Sequence, residues 1–370
     1  MKPPSPSAEP PSGSPSPSIS VVIPTFGRDE VLCETVAHLL RCRRPEGGIE
    51  ILVIDQTPSS GPLAHDEATA QTLRRWDADP VVPLRWVRRD RPSIPAAMNH
   101  GLLAARGDAV LFLDDDIVPD PDLIVAHVAA VESLPDHVAV VGQVLQPDES
   151  PQPRGDWSGQ GGFFRDLDFP FWSTEPADVV NVMAGNLAVR RDAAIRAGGF
   201  DENFDGAAYR FETEFARRLG RLGPIRFEPS ASLRHLRAGR GGTRSEGSHL
   251  TSASPRHGAG DYYFLLRSLD LDPAGGQRPA IWRRLLSRPL REVRTRFHLR
   301  HPWYIPIKLV GELRAIGHAV SMRRAGPRLI AVRSPRMLRS DGDGGEDGGT
   351  TPRGPNAIAH AAPPVGGQTA

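Results

Sequence analysis

Cysteine is almost missing: Cys33 and Cys42 are the only two in 370 residues. Two thiols cannot staple a chain of this size and no CxxC pair offers a zinc site, so the usage predicts a reducing compartment. Lysine is equally scarce, at Lys2 and Lys308 alone, which makes the basic charge nearly all arginine. No run of about 18 apolar residues exists to span a membrane, and the N-terminal MKPPSPSAEPPSGSPSPS has no apolar core for a secretion signal. These absences predict a cytoplasmic protein, free or peripheral on the cytoplasmic face of a membrane. The twelve histidines show no HxxxH spacing, which excludes a zinc-protease helix, and no GxGxxG follows the first apolar run, which argues against a dinucleotide fold. A formal charge of +1 does not suggest nucleic acid as the main partner.

What is present is globular in kind, with 39% apolar and 24% charged residues. Residues 1–18 hold seven prolines and six serines, and residues 334–370 are rich in Gly, Pro and acid, so both ends read as disordered tails. Between them lie a patterned body, 19–265, and a basic appendage, 266–333. In the body, Ile19–Ile23 reads as a buried strand ended by Pro24, and Asp29 caps a helix to about Arg41. EILVI at 50–54, Leu84–Val87, AVLFL at 109–113 and Val138–Val144 read as further strands, with helices over 94–105 and about 120–133. Continuous apolar runs separated by helices predict an α/β fold with a mostly parallel central sheet covered on both faces.

Ligands of such sheets bind beyond the carboxyl ends of the strands, so the residues that follow each run are the candidates. Pro24-Thr25-Phe26-Gly27-Arg28 follows the first strand and Asp55 the second. A carboxylate at Asp55 suits the N–H or O–H groups of a base or ribose; it equally suits capping the next turn. Asp114-Asp115-Asp116 follows AVLFL directly. Three carboxylates at the mouth of a buried strand repel one another, and a cation relieves that cost. Alternation along an extended chain turns Asp114 and Asp116 toward the same ligand. Oxygen donors select magnesium or manganese, which keep positions open for phosphate oxygens. The competing reading is a solvated acidic turn before the next helix.

With these pieces the chain resembles the family 2 glycosyltransferases, nucleotide-sugar enzymes with the Rossmann-like GT-A fold. SVVIPTFGR, VIDQT, IPAAMNHGLLAARGDAVLFLDDD, MAGNLAVRRDAAIRAGGFDE and RFETEFARRLGRLG occur in the family's order from Ser20 to about His235. The resemblance implies a metal-diphosphate site at Asp114 and Asp116, with Asp115 beside it and His235 reaching the metal, a base contact at Asp55, and a donor pocket lined by Pro24, Thr25, Gly27, Arg28 and Asn99. It puts Gly185 and Asn186 on the acceptor side. It implies Glu212 as the catalytic base where relatives commonly carry an aspartate, with Glu214 or Asp201 as substitutes; Glu214 also suits a surface pair with Arg218. It further implies inverting transfer from a nucleotide-diphosphate sugar to a glycan or lipid-linked acceptor, helped by Mn2+ or Mg2+. Gly239-Arg240-Gly241-Gly242-Thr243-Arg244 either closes over a diphosphate or is an ordinary loop.

From Arg278 to Arg339, sixteen basic residues face only Glu292 and Glu312, with Trp282, Phe297, Trp303 and Tyr304 interleaved. Such a segment suits an anionic membrane surface, or else helices packed on the body. No nucleic-acid motif accompanies it. The aromatics of 147–178, Trp157, Phe163, Phe164, Phe169, Phe171 and Trp172, read as an acceptor cleft, a core or a lid. Two rivals stand beside the transferase. A haloacid-dehalogenase phosphatase also carries Asp-x-Asp after a strand, but Ile117-Val118-Pro119 replaces the Gly-Thr it needs. A sugar- or nucleotide-binding protein without catalysis would account for the altered acid at Glu212.

Overall fold

The computed structural model describes residues 18–155, 164–204, 206–242, 248–272 and 275–330. The expected tails therefore fall almost wholly outside the described residues, as do Trp157, Phe163, Thr243 and Arg244. The strands are β1 Ile19–Thr25, β2 Ile49–Asp55, β3 Leu84–Arg88, β4 Ala109–Leu113, β5 Ile117–Pro119, β6 Ala139–Leu145, β7 Ala177–Val179, β8 Asn186–Arg190 and β9 Ile225–His235. The helices are α1 Glu30–Arg41, α2 Glu67–Ala78, α3 Ile94–Ala104, α4 Leu123–Ser133, α5 Arg191–Arg196, α6 Phe211–Leu219, α7 Ala259–Leu271, α8 Arg278–Val293, α9 Arg296–Arg300 and α10 Tyr304–Ala325.

Among the described residues these strands form one sheet in the order β3-β2-β1-β4-β8-β6-β9-β5, with β7 also on β9. The half β3-β2-β1-β4 is parallel, as its unbroken apolar runs demand. Ile19, Val21, Val22 and Ile23 are all sealed from solvent, because α1 and α3 cover opposite faces of the sheet they lie in. Helix α3 comes close enough to β1 that a Cβ on Gly101 would sit 2.3 Å from a Val22 methyl.

The other half departs from a parallel sheet. Strand β8 runs antiparallel between β4 and β6, pairing Leu113 with Asn186 and Val141 with Leu187. Strand β9 runs for 11 residues, and its ladder with β6 shifts register so that Gly142 faces Glu228 and Gln143 faces Ser232. Pro229 falls in that irregularity, where a residue without an N–H is tolerated. Strands β5, β7 and β8 and helix α2 had no strong periodic signal. The Asp29 side chain, expected to cap α1, makes no cap hydrogen bond and turns instead to His65 and the Asp66 N–H.

Two further expectations are revised by packing. Helix α7 runs straight through the 265/266 boundary, and Tyr262 and Tyr263 on it are among the largest fully buried side chains. Ile281 and Leu285 of α8 and Ala315 and Ala319 of α10 join the same apolar core. Phe164, Phe169 and Phe171 of the aromatic insert are core residues as well. Glu214 does pair with Arg218, at 2.7 Å, but the pair is interior: Glu214 is wholly buried, and Arg267 of α7 approaches its other oxygen at 3.3 Å. Removing one partner of a buried pair leaves uncompensated charge, at a cost of about 3–5 kcal/mol. Glu214→Ala should therefore lose about 3–5 kcal/mol in urea unfolding; a loss below about 1 kcal/mol, the usual ceiling for an exposed pair, would reject the interior network.

Candidate active site

The carboxyl ends of β1 and β4 and the N-terminal end of β8 open on one cleft of about 380 Å³. Thr25, Arg28, Asp114, Asp115, Asp116, Gly185, Glu212 and His235 all line it. The three aspartates divide by alternation along the chain. Asp115 turns inward, accepting from Thr25 Oγ1 at 2.6 Å and from Arg28 Nε at 3.1 Å. Burial pushes its carboxyl up to about 6, against the pull of Arg28. Asp114 and Asp116 turn to His235, whose Nε2 lies 3.9 Å from Asp114 Oδ2 and 3.2 Å from Asp116 Oδ1. Burial works to raise Asp116, but His235, Arg28 and the Ala238 N–H outweigh it and hold the carboxyl below its usual range.

His235 arrives there because β5, the three residues just past the aspartates, pairs antiparallel with the end of β9 and sets Ile117 opposite His235. Gln146 Oε1 accepts from Arg237 Nε at 2.8 Å, which fixes the amide, so His235 Nδ1 donates to that oxygen at 3.1 Å. Nε2 is left facing the carboxylates. Burial lowers the imidazole pKa, yet Asp116 and Asp114 more than reverse this and raise it. The roof is two loops in contact: the Gly242 N–H donates to Phe26 O at 2.7 Å. A Cβ on Gly241 would fall 2.4 Å from Gly27 O.

The sequence model of glycosyl transferase family 2 matches residues 20–196, a stretch that ends before Glu212 and His235. This stretch is similar to glycosyl transferase family 2. An O-antigen biosynthesis protein, RfbC of Myxococcus xanthus, is 28% identical over 205 residues, 51% of this chain but 15% of that protein. A glucosyl-dolichyl phosphate glucuronosyltransferase of Haloferax volcanii is 26% identical over 196 residues, 50% of this chain and 56% of its own length. The chain thus spans only part of the curated relatives it matches. Among solved structures, S. aureus TarS 1–349 is 15% identical with a TM-score of 0.52, covering 81% of each chain, a likeness in the GT-A fold.

Several residues singled out in the family 2 sequence pattern do not line this cleft. Asp55 is sealed under the second strand end, accepting from the Thr57 N–H at 2.8 Å and Trp86 Nε1 at 2.9 Å, with His65 Nε2 at 3.0 Å. It caps the turn, and a contact to a base would have to replace one of these bonds. Burial works to raise its carboxyl, but His65 and Thr57 outweigh it and hold the pKa low. Asn99 exchanges hydrogen bonds with the Phe200 backbone, both at 2.8 Å, fastening α3 to the Gly198-Gly199 turn. Asn186 is buried and donates to Gln143 O and Ala231 O, binding β8 to β6 and β9. Asp201 is buried beneath Tyr263 Oη, 2.7 Å away, so it and Glu214 are interior supports. Gln56, Met98, Met183, Phe211 and Arg237 line the cleft without having been foreseen, since each is an ordinary residue until the loops converge.

Two carboxylates, each within 4 Å of one imidazole nitrogen, are a donor set suited to manganese or magnesium. Among the described residues no group of three or more such side chains stands in ready metal geometry. Asp116 and His235 hold each other here, and an ion would take those atoms from that contact. The residues fit the ion by chemistry, and Gly185 shows the room is deliberate: a Cβ there would lie 2.1 Å from Asp114 Oδ2. Gly185→Ala should displace that carboxylate and weaken Mn2+ binding by about 10–100-fold, read as free Mn2+ by electron paramagnetic resonance. Unchanged binding would remove Asp114 from the donor set.

Proposed function

We propose that this chain is a glycosyltransferase that moves a sugar from a nucleotide-diphosphate donor to an acceptor hydroxyl, with inversion. The observation that carries the reading is the meeting of Asp114, Asp116, His235 and Glu212 around one cleft at the strand ends. The match of residues 20–196 to family 2 and the names of the relatives support it. Glu212 sits in the first turn of α6, lines the same cleft as the aspartates, and takes the proton of the attacking hydroxyl. Arg28 and Arg237 supply fixed positive charge on the diphosphate side. Asp114, Asp116 and His235 would hold the divalent ion, whose charge stabilises the departing diphosphate. Relatives concerned with O-antigen and dolichyl phosphate sugars point to a glycan or lipid-linked acceptor. Glu212→Gln should cut transfer by about 10²–10⁴ while leaving nucleotide-diphosphate binding, followed by thermal shift with manganese, unchanged. Full activity in that variant would discard the base, and no stabilisation by any nucleotide diphosphate would discard the donor.

We further propose that the enzyme works against an anionic membrane surface. No described helix is long and apolar enough to cross a membrane. Helix α8, however, turns Trp282, Leu286 and Leu290 to solvent at spacings of four, 46%, 70% and 55% exposed. Trp303, Ile307, Val310 and Leu313 form a like stripe along α10 and its N-terminal edge. Glu292 and Glu312, the two acids of this segment, face inward to Arg288 and Lys308. Exposed Arg294, Arg300 and Arg314 thus border the apolar stripes without acidic neighbours on the same segment. Each cation near an anionic surface adds about 1 kcal/mol. The protein should co-sediment with phosphatidylglycerol vesicles and not with phosphatidylcholine alone, and Trp282→Ser with Leu286→Ser and Trp303→Ser should abolish it. Failure of the unaltered chain to co-sediment would reject the surface.

A further inference from the structure

A second cavity, of about 150 Å³, lies between α7, α8 and the segment that leads into α6. That is the space of roughly five liquid waters. Four guanidinium groups line it, Arg210, Arg284, Arg288 and Arg291, against the carboxylates of Asp261 and Glu292. The carboxylates are already engaged. Asp261 takes Arg210 at 3.3 Å and Arg288 at 3.0 Å, and Glu292 lies 3.9 Å from Arg288 and 3.5 Å from Lys308. Arg288 is also held by Glu312 from behind and stacks on Tyr262.

Arg284 and Arg291 are different. Among the described residues no carboxylate lies within the 4 Å of an ion pair with either, and the Arg284 guanidinium rests only on the Phe164 ring, 5.1 Å from its centroid. Burial, and then the like charges of Arg291 and Arg210, lower the Arg284 pKa, while Asp261 and the more distant Asp168 oppose this. Arg284 is half-buried and Arg291 exposed at the cavity's edge, so two guanidinium forks without a carboxylate face one space, a setting that suits about two negative charges. A phosphate monoester carries about −1.5 to −2 at neutral pH and accepts bidentately from arginine.

We propose that this cavity binds a phosphoryl group through Arg284 and Arg291, with Arg210 at its edge. Arg210 gives the site a line to the cleft. It stands two residues before Glu212 as the N-cap of α6, in the left-handed region at φ 71°, a conformation that a non-glycine residue holds only when its surroundings fix it. An anion on Arg210 therefore bears on the helix turn that carries Glu212. The group belongs to a free phosphate compound or to a phospholipid headgroup, since α8 carries both these arginines and the exposed Trp282 stripe.

The test needs neither donor nor metal. Thermal shift of the full chain is followed against inorganic phosphate and against short-chain, water-soluble phosphatidic acid, with chloride holding ionic strength constant. At least one should stabilise saturably; a shift from phosphate identifies a free compound, and a shift from the lipid alone identifies a headgroup. Arg284→Gln with Arg291→Gln should raise the apparent Kd about tenfold or more, as lost charge-assisted hydrogen bonds require. Arg283→Gln, on the exposed side of the same helix, should leave it unchanged. Equal binding in the double variant, an equal loss in Arg283→Gln, or no saturable shift with either probe overturns the site. Nucleotide-diphosphate stabilisation with manganese, measured in the same variants, should persist and reports separately on the transferase reading.

Discussion

Everything at the cleft depends on how three adjacent carboxylates are kept at the mouth of a buried strand. The chain divides them. Asp115 is drawn inward to Thr25 and one nitrogen of Arg28, while another nitrogen of Arg28 reaches Asp116 at 3.2 Å. A single guanidinium thus bridges two of three like charges, and its remaining nitrogen ties down the 238–240 backbone. His235 brings its Nε2 to Asp114 and Asp116 from the far end of β9. The outcome is a site whose acidic groups are held short of mutual repulsion yet leave Asp114 half exposed to a ligand.

The direction of β8 decides which residues meet the aspartates. Run parallel to β4, β8 would bring its Arg190 end to the aspartates instead of its Asn186 end. The antiparallel insertion of β8 places Gly185 O on the Asp114 N–H, and the missing side chain leaves room for the carboxylate. Asn186, next in line, is consumed by its bonds to β6 and β9, so one residue of the pair serves the cleft and the other serves the sheet.

The appended helices are less an appendage than a third layer on one flank. Their acids are turned inward against Arg288 and Lys308, and Tyr262 closes that network by donating to Glu312 at 2.7 Å. Buried charge of this kind is costly unless fully satisfied, which explains why so few acids serve so basic a segment. What faces outward is then both cationic and apolar.

Sequence alone was enough to determine the parallel half of the fold, because continuous β-branched runs leave little choice of burial. It also placed Asp114, Asp115 and Asp116 at a strand end, where alternation sorts them. The short strands β5, β7 and β8 carried no periodic signal, since three to five residues do not establish a period. Asp55, Asn99, Asn186 and Asp201 carry carboxylates and amides whose chemistry serves a ligand contact and a structural support equally. Only the tertiary structure decided among them, by supplying or withholding a partner within hydrogen-bond reach. Glu212 and Glu214 make the point most directly: one helix, two positions apart, turns the first to the cleft and the second to Arg218 and Arg267 in the interior.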